Sequence, residues 1–203
     1  MVGVAVLVSG AGTNLRAILE AAAADEFPAR VVGVGSNRSS CPALKIATAA
    51  GLPQRSFPIS DFSGDLAARD QAMATWLTGL GASILVLAGY DRILTTPLLR
   101  AFPERILNLH NSLLPAFAGT MAAVQEALDR GVKVTGCTVH LVDEEHLDGG
   151  PIVLQAAVPV EDEDTCETLL RRIHEQEWRI LPEAIAMLSR GQLRIEGRRV
   201  SRA

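Results

Sequence analysis

The sequence predicts an α/β fold, a mostly parallel twisted sheet with helices on both faces. Two observations carry that prediction. Short apolar runs of strand length alternate with longer stretches of helical periodicity, the pattern of a parallel sheet covered by helices. The first run, Val4-Ala5-Val6-Leu7-Val8, passes through Ser9-Gly10-Ala11-Gly12-Thr13-Asn14 into a helix, an order that makes the N-terminal half Rossmann-like.

Leu15, Ile18, Leu19 and Ala22 line one face of that first helix. A second strand is expected at residues 30–34. Ser40 as a cap and Pro42 in the first turn open a helix that stops at Gly51. Asp65 begins a helix reaching about Leu77, and residues 83–88 form the next strand. A short helix at 97–101 leads to a strand at 105–109 that ends at His110. An irregular segment, 111–118, precedes a helix at 120–130. Strands follow at 135–142 and 151–158, and Thr165 caps a long helix to about Ser189 that Pro182 should kink or split. No repeat, linker or composition shift marks a boundary, so a single domain over residues 1–203 is expected.

Apolar residues make up 48% and charged residues 21% of the 203, a globular composition with enough chain to bury a core. The net charge of −4 argues against nucleic acid as a partner, and the arginines near the C-terminus read as a short solvated tail. Cys41, Cys137 and Cys166 are odd in number and outside metal-ligand spacing, so they read as reduced, mostly structural thiols. The chain opens on a strand rather than a signal sequence, and no apolar stretch approaches the roughly 18 residues of a membrane helix. A cytoplasmic protein with no metal and no membrane partner is expected.

Three segments can carry chemistry. Gly10 and Gly12 let backbone approach a ligand closely, and the helix after them presents N–H groups and partial positive charge, a seat for phosphate. The same residues also serve as a plain tight turn. Leu15 replaces the third glycine of a dinucleotide fingerprint, which counts against a nicotinamide-dependent oxidoreductase. In Asn108-Leu109-His110 the two polar side chains share one face of a strand end, where they can hold an oxyanion and move a proton, or simply form structural hydrogen bonds. The acidic run from Asp143 to Asp148 ends in Gly149-Gly150-Pro151, a hairpin-like turn whose aspartate can orient a histidine.

Taken together and in order, Ser9-Gly10-x-Gly12-x-Asn14, Leu87-Ala88-Gly89-Tyr90-x-Arg92-Ile93-Leu94, Asn108-x-His110-x-Ser112-Leu113-Leu114-Pro115 and Asp148-Gly149-Gly150-Pro151 resemble the glycinamide ribonucleotide formyltransferases of purine synthesis. The resemblance covers residues 4–195. It implies a phosphate-binding half at 1–100 and a catalytic, folate-binding half at 101–203. It implies that Gly12, Thr13 and Asn14 bind the substrate phosphate and that Glu177 binds the glycinamide and ribose end. The formyl donor, 10-formyltetrahydrofolate, would meet Asp91, Arg92, Ile93, Leu94, Asn108, Asp143, Glu144, Leu147 and Asp148. Asn108, His110 and Asp148 would be the catalytic trio: the amine attacks the formyl carbon, Asn108 and protonated His110 hold the oxyanion, and Asp148 orients the imidazole. No metal is implied, and a monomer or homodimer is expected.

Several positions depart from the family pattern. Asn111 stands where proline is usual, Ala118 replaces a proline, Met121 a histidine, Asp91 a methionine and Leu66 an arginine. The loop from His140 to Asp148 is one residue longer, with His146 as the inserted residue or as a contact to the pterin. These departures motivate an alternative, a weakened homologue of the same fold that binds phosphoribosyl ligands. A formyltetrahydrofolate hydrolase would require an added N-terminal domain, and a methionyl-tRNA formyltransferase an added C-terminal one.

Overall fold

The computed structural model describes residues 1–142 and 147–203, which form two compact units, Met1–Leu107 and Asn108–Ala203. The first unit contains β1 (Val2–Val8), α1 (Thr13–Ala22), β2 (Ala29–Ser36), α2 (Pro42–Ala49), β3 (Gln54–Ser56), α3 (Leu66–Gly79), β4 (Ile84–Leu87) and α4 (Thr96–Ala101). β5 (Ile106–His110) begins there and ends in the second unit, which adds α5 (Ala123–Asp129), β6 (Val134–Leu141), β7 (Ile152–Pro159), α6 (Cys166–Ser189), β8 (Leu193–Glu196) and β9 (Arg199–Arg202). Within the first unit the strand order is β3-β2-β1-β4, and within the second β5-β6-β7.

Within the first unit β1 pairs parallel with β2 and β4, and β2 parallel with β3. Residues 3–8 of β1 are all buried, so both faces of the strand are covered. Gly12 caps α1 in the left-handed region at φ 83°, and a Cβ there would lie 2.7 Å from the Ala43 Cβ at the start of α2. Only glycine meets both demands, and α2 thereby closes down on the loop. The Gly10 carbonyl accepts from Ala43 N at 3.2 Å, whereas nothing crowds a Cβ at Gly10 itself. In the second unit β6 and β7 pair antiparallel, the hairpin that the Gly149-Gly150 turn implied.

Four expectations are corrected. Cys41, not Ser40, is the N-cap of α2, with Pro42 at the first helical position. α5 begins at Ala123 rather than near Thr120, because Gly119 (φ 76°) turns the chain and the Thr120 hydroxyl accepts from Ala122 N instead. α6 runs unbroken through Pro182. The carbonyl that the missing N–H leaves over belongs to Trp178, an exposed residue where water can take it. The arginine-rich C-terminus is a β-hairpin, β8–β9, tied back to α6 by Arg202 on Glu183 at 3.2 Å. None of the described helices is long and apolar enough to cross a membrane.

Candidate active site

In the second unit the end of β5 carries Asn108 and His110 two residues apart, and β6 brings His140 beside them. Asp148, at the far side of the β6–β7 turn, reaches both strands. Its Oδ2 lies 3.5 Å from His110 Nδ1 and its Oδ1 3.7 Å from His140 Nε2. Asn108 Nδ2 donates to Asp148 Oδ1 at 3.4 Å, and Gly119 N donates to Asp148 Oδ2 at 2.9 Å. Asp148 holds φ 53°, a left-handed conformation that aspartate tolerates better than most residues. The longer loop therefore does not keep the carboxylate away from the histidine.

The protons can be placed from the partners. His140 Nδ1 faces the Leu141 carbonyl at 2.9 Å, an acceptor only, so Nδ1 carries hydrogen. Burial lowers the pKa of His140, against the pull of the Leu141 carbonyl and Asp148. The neutral ring then accepts from Asn108 Nδ2 at 3.0 Å through Nε2. Both N–H directions of Asn108 thus point at internal acceptors. His110 Nε2 faces the Phe117 carbonyl at 3.0 Å, so each of its ring nitrogens has an acceptor beside it. A histidine so flanked can donate from either side.

The turn after His110 is braced from β6 and β7. Ser112 donates to the Ala116 carbonyl, Thr138 donates to the Ser112 carbonyl at 2.6 Å, and Gln155 donates to the Leu114 carbonyl at 2.9 Å. The Leu114–Pro115 peptide within it is cis. Glu177, 1% exposed on α6, accepts from Asn111 Nδ2 at 2.8 Å and has His174 Nε2 at 3.9 Å. Burial, with the Glu177 charge adding to it, pushes the Cys137 thiol up to about 12.

In the first unit Thr13 is exposed and Asn14 buried at the start of α1, beside the loop-closing Gly12. After β4, Arg92 and Ile93 are exposed while Leu94 is buried. Asp91, which stands in place of the family methionine, is a paired charge. Asn37 Nδ2 donates to it at 2.8 Å, Arg38 pairs with it, and its own N–H donates to Ser9 Oγ at 3.0 Å. Burial would raise its carboxyl pKa, but hydrogen bonds from Ser9 and Asn37 and the Arg38 charge outweigh burial and hold it below the usual value. Thr95, at the end of the segment, donates through N and Oγ1 to Asp70 Oδ2 at 2.7 and 2.8 Å. Asp70 in turn pairs with Arg69 at 2.8 Å, both essentially without exposure.

Asp143, Glu144 and His146 lie outside the described residues. Leu147 is exposed, and so is Met121, at 86%. Sequence reasoning missed His140 as a member of the cluster. Its signal was present: Gly136, Thr138 and His140 alternate with Cys137, Val139 and Leu141, a small-or-polar face on an otherwise apolar strand. Among the described residues no group of three His, Cys, Asp or Glu is placed to hold a metal ion.

A strand-end Asn–His pair backed by a carboxylate, on an α/β sheet, has the donors and the charge that acid–base group transfer requires. The model of the formyl transferase family matches residues 2–185, and the chain belongs to that family. It is 42% identical over 193 residues to the phosphoribosylglycinamide formyltransferase of Haemophilus influenzae, covering 95% of this chain and 90% of the relative. It is 45% identical over 194 residues to the enzyme of that name from Mycobacterium tuberculosis, covering 95% and 87%. Among solved structures, glycinamide ribonucleotide transformylase 1 from Symbiobacterium toebii superposes with a TM-score of 0.96 at 48% identity, covering 100% of this chain and 94% of that one.

Proposed function

We propose that the protein transfers the formyl group of 10-formyltetrahydrofolate to the amine of glycinamide ribonucleotide, the chain acting as one formyl transferase domain in the cytoplasm. The observation that carries this reading is the Asp148 carboxylate 3.5 Å from His110 and within reach of Asn108. The folate supplies the formyl carbon as electrophile. His110, with Nε2 turned from the Phe117 carbonyl, holds a proton against the formyl oxygen as it becomes anionic, and Asp148 beside Nδ1 balances the imidazolium charge. Asn108 adds a second donor by turning from Asp148, the longer of its two hydrogen bonds. The proton lost by the attacking amine passes by way of His110 to the departing folate nitrogen.

Gly12, Thr13 and Asn14 seat the phosphate at the N-terminus of α1, where backbone N–H groups and the helix dipole favour an anion. Glu177 receives the glycinamide and ribose end. Arg92, Ile93, Leu94 and Asp91 in the first unit, and Asn108, Asp143, Glu144, Leu147 and Asp148 in the second, meet the folate.

The test is a formyl-transfer assay following the deformylated folate by absorbance. Turnover that requires both substrates is expected. Release of tetrahydrofolate without glycinamide ribonucleotide would replace the reading with hydrolysis, and phosphate-substrate binding without turnover would replace it with a binding homologue.

A further inference from the structure

Asn111 leaves β5 directly after His110, yet its side chain bonds elsewhere. Its Nδ2 donates to Glu177 Oε1 at 2.8 Å. Glu177 is a buried carboxylate on α6, where a charge is tolerated only with hydrogen-bonded partners. An amide donor differs from lysine or arginine in one respect that matters here: it fixes the carboxylate in place without cancelling its charge. His174, 3.9 Å away, has the same character, because burial lowers its pKa and favours its neutral form. The hydrogen bond joins the residue after His110 to α6, so the carboxylate is located relative to the strand end that carries Asn108 and His110.

We propose that Asn111 is a positioning residue for the amine-bearing substrate, acting through Glu177. It holds the carboxylate at the place from which the N–H and O–H groups of the glycinamide and ribose end are received. This rests on the assignment of Glu177 to that substrate made above. A carboxylate no longer held there meets those groups through longer, misaligned hydrogen bonds, which weaken steeply with distance and angle. A proline at 111, with no side-chain donor, could not form this bond.

Steady-state kinetics with both substrates varied, on wild type, Asn111→Ala, Asn111→Asp and Glu177→Gln, tests the role. Asn111→Ala should raise KM for glycinamide ribonucleotide about ten-fold, with kcat and the folate KM within about two-fold. Asn111→Asp keeps the size and replaces the donor with a carboxylate facing Glu177, so it should be at least as impaired. In the Glu177→Gln background, Asn111→Ala should add less than about two-fold, because both act through one contact. Wild-type behaviour of Asn111→Asp would reduce Asn111 to a space-filling residue. Additive effects with Glu177→Gln, or a loss of kcat and both KM values in step with melting temperature, would also overturn the role.

Calorimetric titration of glycinamide ribonucleotide reads the same substitutions without turnover. A wild type that binds it but transfers no formyl sinks the reaction proposed above and leaves this inference standing. Equal affinity of wild type and Asn111→Ala overturns the inference alone, and a wild type that does not bind it overturns both.

Discussion

Asp148→Asn separates the charge at this position from its shape. Asparagine keeps the size of the side chain and an oxygen to accept the Gly119 N–H, so the turn survives. What disappears is a negative charge 3.5 Å from His110 Nδ1, with both side chains about nine-tenths buried. Two full charges at that distance in an effective dielectric of about 20 interact by about 5 kcal/mol, more than three decades in rate. Charge on His110 develops only partly in the transition state, and the amide still contacts the ring. The expected loss is therefore roughly a hundred- to a thousand-fold in kcat. Stopped assays of tetrahydrofolate release, with a melting curve as control for folding, measure it. A variant within about three-fold of wild type in kcat would show that the Asp148 charge has no part in the chemistry.

Two further outcomes follow from buried groups. Burial lowers the pKa of His140, so between that value and the unfolded value near 6.5 the unfolded chain binds a proton that the folded chain refuses. The stability contributed by the neutral ring is complete above that unfolded value and is lost as pH falls through the window. His140→Gln, which keeps an acceptor for Asn108, should flatten the fall of melting temperature below about pH 6.5, with His174 retaining part of the slope; an unchanged slope refutes it. Asp70→Asn leaves Arg69 as a buried charge without its counter-ion and should cost about 3–5 kcal/mol in urea unfolding, while replacing both by Leu and Met should cost less. A loss under about 1 kcal/mol would mean that water reaches the pair.

The parts of the site that sequence made legible are those fixed by local periodicity. Asn108 and His110 share a strand face because side chains alternate, and Gly12 declares itself because a left-handed cap admits little else. Asp148 is different: its reach to His110 depends on the path of the turn, which residue counting does not supply. The network of Ser9, Asn37, Arg38 and Asp91 joins three separate segments of the first unit, so only the fold assembles it. In sequence Asp91 shows only as a departure from the family methionine; its pairing with Asn37 and Arg38 appears in the fold. The C-terminal hairpin escaped because its arginines masked the apolar alternation of Leu193, Ile195 and Val200.

The left-handed backbone of Asp148 also shapes what this site can become. At φ 53° the residues that fit without strain are glycine, asparagine and aspartate, so glutamate, the only other carboxylate, meets a backbone penalty there. Each of the two compatible replacements lies one nucleotide change from an aspartate codon, and neither carries charge. Mutation can thus silence this position in a single step while the chain goes on folding, and the charge can be regained only by reverting to aspartate. A descendant that loses catalysis through this codon would remain a correctly folded protein with a mute active site.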